Sequence, residues 1–154
     1  MLMLSPLFNA LHALAAALWV GGMFFAYVVL RPAAGFMEPP HRLTMWNNVF
    51  DRFFLWVWAS VIALPATGYY AVYADFGGFA QSGVHVSLMH GLGWIMVAIF
   101  VFLVAGPYRR YRAAVGIQDW PAAGRILVVI RRTVAVNLAL GLVTIAIGAS
   151  GRLW

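Results

Sequence analysis

The sequence predicts an all-α membrane protein, a polytopic up-down bundle of four transmembrane helices. Three observations carry this. Of the 154 residues, 64% are hydrophobic and only 9% are charged, whereas a soluble domain holds about 45–50% apolar and about 25% charged residues. Four apolar runs reach the roughly 20 residues that a helix needs to cross a hydrocarbon layer of about 30 Å. All ten basic residues are arginine and fall in or beside the gaps between those runs. The runs are continuous rather than alternating, which disfavours a β-barrel. No internal repeat or second domain is visible, so residues 1–154 read as one transmembrane domain.

The first helix is expected over about residues 6–30, with Pro6 suited to a first turn. It lacks the basic start and short apolar core of a cleavable signal peptide. The second run covers 53–74 and contains Pro65 and Gly68. The third covers 84–106, with Pro107 expected to stop it. The fourth covers 121–150, because Asp119-Trp120-Pro121 reads as a cap followed by a first turn.

Arginine placement predicts the orientation. Arg31, Arg42 and Arg52 mark the first connection, and Arg109, Arg110, Arg112, Arg125, Arg131 and Arg132 mark the third. The second connection has none, and the C-terminus adds only Arg152. The positive-inside rule then sets the first and third connections in the cytoplasm and both termini on the periplasmic side, in a bacterial inner membrane. Arginines in such gaps suit topology better than a nucleic-acid surface, so no nucleic-acid partner is expected. The net charge is +6, and the absence of cysteine excludes thiolate metal sites and thiol catalysis. The four acids, Glu38, Asp51, Asp75 and Asp119, lie at connections, which disfavours a carrier with a buried carboxylate.

His12 and His90 each lie about six residues from the outer end of their helices, roughly 9 Å below the outer surface of the apolar layer. Helices one and three run in the same direction, so both imidazoles could face the core at one height. This arrangement suits a b-type haem with two axial histidines, His12 and His90 being the metal ligands. Gly91 and Gly93 beside His90 would make room. So would Asn137, Gly141, Thr144 and Gly148, which form one stripe on helix four. Trp19, Trp94 and Tyr69 would line the macrocycle, and Arg152 would meet its propionates. Each feature also has a plainer reading. Membrane histidines can hydrogen-bond a neighbouring helix, and small residues let helices pack closely. Tryptophan and tyrosine populate interfacial belts.

The first helix reads Leu11-His12, then Leu18-Trp19-Val20-Gly21-Gly22-Met23-Phe24-Phe25, and ends at Arg31-Pro32. This resembles the first helix of the copper-resistance-D-like (CopD) membrane family. It is also similar to the HemJ-type protoporphyrinogen oxidases, which carry a histidine followed by a Trp-x-x-Gly run and an arginine. Thr67-Gly68 on helix two, and Arg132, Asn137 and Gly141 on helix four, resemble both. The HemJ-type branch implies b-type haem and protoporphyrinogen oxidation; the copper branch implies copper uptake across the inner membrane. In both, helix three often carries a lysine where this chain has His90. The chain has no lysine, which argues against HemJ-type catalysis and for a second haem ligand. His12 follows from the family pattern, and His90 from depth alone.

Three functions follow. The first is a membrane cytochrome b, an oxidoreductase or an electron relay, holding haem b and working with a quinone or another small redox partner in the lipid bilayer. The second is a CopD-like copper transporter or copper-binding protein. Soft thioethers suit Cu(I), and Met1, Met3, Met23 and Met89 are the candidates, although no Met-x-x-Met or Met-x-x-x-Met ladder crosses the membrane. The third is a structural subunit without a cofactor.

Overall fold

The computed structural model of the protein describes residues 4–151. Four helices in it are long and apolar enough to cross a membrane: Leu4–Phe36, Pro39–Asp75, Val84–Gly116 and Trp120–Ser150. They are called the first to fourth helices below. No strand occurs among the described residues. Arg152, and with it the expected propionate contact, lies outside the described residues, as do Met1 and Met3.

The first three helices are not uniform α-helices. Each widens into a π-helical turn at its C-terminal side, at Phe25–Leu30, Ala71–Asp75 and Val104–Tyr108. Proline explains two of these. A ring inside a helix removes one N–H and collides with the carbonyl four residues back, and a π-turn relieves both faults locally. Pro32 follows the first π-turn and Pro107 lies within the third. Pro107 therefore does not end the third helix as expected; the chain continues α-helically from Arg109 to Gly116.

The second helix also departs from expectation. It starts at Pro39 rather than near Phe53, with Pro at its first turn. Charge at Arg42, Asp51 and Arg52 hides this segment from a hydropathy reading, yet charge does not prevent helix formation where the helix extends beyond the lipid. The fourth helix begins as expected, the Asp119 carboxylate accepting the Ala122 N–H at 3.0 Å.

The first helix packs chiefly on the second, and the third chiefly on the fourth. The core is concentrated at the arginine-rich end. There Trp46, Phe50, Phe54, Phe100, Tyr108 and Tyr111 are buried together. Tyr111 is fully buried and donates its hydroxyl proton to the Leu43 carbonyl at 2.7 Å. Tyr108 donates to Asp51, which also accepts from the Asn47 amide. At the other end packing is thinner. No residue of the third helix before Met96, or of the fourth after Gly141, is fully buried. Leu4, Leu7, Leu11, Leu14 and Leu18 form an exposed stripe along the first helix, the surface that lipid covers.

Candidate functional site in the arginine-poor half

His12 projects from the first helix onto the second, and its Nδ1 lies 2.8 Å from the Thr67 hydroxyl oxygen. Thr67 is buried and gives its single proton to the Ala63 carbonyl at 2.6 Å. It can therefore only accept from the histidine. The Thr67 contact favours the tautomer with the proton on Nδ1 and the lone pair on Nε2, with the Leu64 carbonyl also against the ring. That tautomer, held by a second residue, is the form in which histidine binds a metal.

His90 has a different neighbourhood. Its Nε2 lies 3.2 Å from the Tyr69 hydroxyl. Its ring packs edge-on against Tyr69 and Phe79, both with centroids at 5.0 Å. Thr67 and Tyr69 are two residues apart, about 200° around a helix. The two imidazoles therefore engage nearly opposite faces of the second helix. Each histidine thus has its own hydrogen-bond partner on the second helix.

Side chains also fill the expected macrocycle space. A Cβ on Gly141 would stand 2.8 Å from Val20 and 3.1 Å from the Met96 methyl. One on Gly148 would stand 3.1 Å from the Met89 sulfur. The Thr144 hydroxyl donates to the Leu140 carbonyl at 2.8 Å and lies 4.0 Å from the Met96 sulfur. The small-residue stripe is thus a seam that receives neighbouring helices. Trp19 is buried in the core, edge-on to Phe100. Trp94 is about half exposed, and Tyr69 faces outward beside Tyr73. Gly91 and Gly93 have nothing within 4 Å of an added Cβ, so neither is a close-approach position.

The seam brings together residues that the sequence reading had not joined. Met89 and Met96 are seven residues apart and share one face of the third helix, about 10 Å apart along its axis. Both lie against the fourth helix. Beyond Met96, Asn137 is buried and its Oδ1 has no hydrogen-bond partner among the described residues. Asn137 and Met23 line a small cavity of about 20 Å³ together with Trp19 and Thr133, room for one water or ion. Met96 does not stand out in the sequence, because it belongs to no three- or four-residue methionine ladder. A seven-residue step keeps the same face and was the available signal. Among the described residues no three of His, Asp or Glu converge as a metal site.

These features define a multi-pass membrane protein with a thioether-lined helical seam. The family model described as Copper resistance protein D (CopD) matches residues 47–150, about two thirds of the chain, and the chain belongs to that family. An uncharacterized protein of Aquifex aeolicus (strain VF5) is 33% identical over 105 residues, covering 68% of this chain and 69% of the relative. No solved structure matches the chain. The family match spans the second to fourth helices and leaves His12 outside it.

Proposed function

We propose that this protein handles copper as Cu(I), its cargo, along the seam between the third and fourth helices. The observation that carries the reading is the file of Met89, Met96 and Met23, which ends at the small cavity beside the unpartnered Asn137 carbonyl oxygen. Thioethers are soft donors that suit Cu(I) and discriminate against hard cations. Membership of the CopD family supports the same reading. His12, with Nε2 free, is a further donor on the face of the first helix that also bears Met23. A haem clasped by His12 and His90 through their Nε2 atoms would require His90 to leave the Tyr69 hydroxyl, whereas His12 could keep Thr67 on Nδ1.

Competition between the purified protein and a chromophoric Cu(I) chelator tests this. Met23→Leu and Met96→Leu conserve volume and should each weaken Cu(I) retention at least roughly tenfold, the loss typical of a disturbed metal site. Met45→Leu, on the second helix outside the file, should retain Cu(I) like the parent. Unchanged retention in both seam variants would remove the proposal. A purified chain showing a Soret band that disappears in His12→Ala and His90→Ala would restore the haem reading in its place.

A further inference from the structure

The arginine-rich end contains a second cavity, of about 520 Å³, which shares no lining residue with the small cavity at the end of the methionine file. Its lining includes Arg31 from the first helix, Arg42 from the second and Arg131 from the fourth. No ion pair joins any of the three to a carboxylate among the described residues, where the one salt bridge is Arg112 to Asp51. Two of the guanidiniums are oriented by uncharged neighbours. Arg31 stacks on the Tyr27 ring at 5.0 Å. Arg42 donates to the Met37 carbonyl at 3.2 Å and to the Gly35 carbonyl at 3.4 Å. Arg131 has no such support: its Nε is buried without a hydrogen-bond partner among the described residues.

Three like charges around one cavity, one of them partly desolvated and unpaired, form an unfavourable arrangement when empty. An anion removes both penalties at once. Guanidinium forks match the oxygens of phosphate in two-point hydrogen bonds. Depth indicates the same ligand. The fourth helix has 31 residues, so it is about 46 Å long and exceeds a hydrocarbon layer of about 30 Å. Its arginines, Arg125, Arg131 and Arg132, all lie in its first half, so the excess length belongs at that end. Arg131, eleven residues after Trp120, then stands about where hydrocarbon gives way to headgroups.

We propose that Arg31, Arg42 and Arg131 form a binding site for a phosphate-type oxyanion, the phosphate of a lipid headgroup or of a soluble phosphate compound. None of its residues belongs to the proposed copper file.

The test uses the full-length protein in detergent. Native mass spectrometry measures retained phosphatidylglycerol, and thermal unfolding is followed during titration with inorganic phosphate. The parent should retain the lipid or be stabilised by phosphate. Arg131→Gln and Arg31→Gln should each weaken that binding roughly tenfold, as expected for loss of a charge-assisted hydrogen bond. Arg132→Gln removes an exposed cation next to Arg131 that does not line the cavity, and should bind like the parent. Lipid retention without a phosphate effect assigns the anion to the bilayer; a phosphate shift without retention assigns it to a soluble compound. Without ligand, Arg131→Gln should unfold at a higher temperature than the parent, which loss of a structural contact would not produce. Arg31→Gln lies on the exposed rim and reports on binding whatever Arg131→Gln does to folding. Equal binding by the parent, Arg131→Gln and Arg31→Gln, or equal loss in Arg132→Gln, would overturn the site.

Discussion

At the residue scale, the informative group is the Thr67 hydroxyl. Its proton is committed to the Ala63 carbonyl, so it fixes the tautomer of His12 across the interface of the first two helices. Thr67→Val keeps the shape and removes the acceptor. An interhelical hydrogen bond within a membrane is worth about 0.6 kcal/mol on average, so the variant should lose about that much stability in a denaturant titration. The sharper readout is the ¹⁵N spectrum of the His12 ring. The parent should show a protonated Nδ1 and a free Nε2, and Thr67→Val a mixture. An unchanged spectrum would mean that another group sets the tautomer. His12 as a polar intramembrane residue was legible in the sequence, because such residues stand out against apolar runs. Its partner was not: Thr67 stands out in the sequence only through the Thr67-Gly68 resemblance, and its role depends on how two helices are rotated against each other.

At the element scale, the turn between the third and fourth helices has the clearest energetic content. Gln118 adopts φ of 59°, a left-handed conformation in which a side chain costs about 1–2 kcal/mol. The neighbouring Asp119 caps the fourth helix through the Ala122 N–H. The two residues should respond in opposite directions. Gln118→Gly relieves the strain and should raise stability by several tenths of a kcal/mol, after the added flexibility of the unfolded chain is subtracted. Asp119→Ala removes the cap and should lower stability by about 1 kcal/mol. Thermal unfolding of both variants in one detergent checks the pair, and a shift of the same sign in both would contradict the turn geometry. The Asp119-Trp120-Pro121 signal was readable because capping is local. The early start of the second helix and the continuation through Pro107 were not, because hydropathy reports where lipid is, not where a helix ends. Pro107 is accommodated by a π-turn, and Arg42, Asp51 and Arg52 lie on helix that is held by the buried aromatics of the arginine-rich end.

At the scale of the whole molecule, the two ends differ in packing, charge and chemistry. The buried aromatic core and the three-arginine cavity occupy one end, and His12, His90 and Met89 occupy the other. Four helices and their order were legible from composition and run length, which depend only on the bilayer. Which helices pair was not, because pairing rests on close fits such as Val20 and Met96 against Gly141, and many small residues offer such fits. The same asymmetry carries a topological prediction. Nine arginines lie at the first and third connections or in the adjoining helix ends, and the second connection has none. The positive-inside bias therefore directs the arginine-rich end to the cytoplasm. The chain contains no cysteine, so single cysteines can be introduced without a background. Gly116→Cys, at the third connection, should react with a membrane-impermeant maleimide only after cells are opened. Gly77→Cys is a less suitable probe because its φ of 75° favours glycine; Ala80→Cys, exposed in the second connection, should react in intact cells. The reverse labelling pattern would invert the protein in the membrane. The Cu(I) file and the anion site would then exchange sides, although neither the seam nor the arginine cavity would change in geometry.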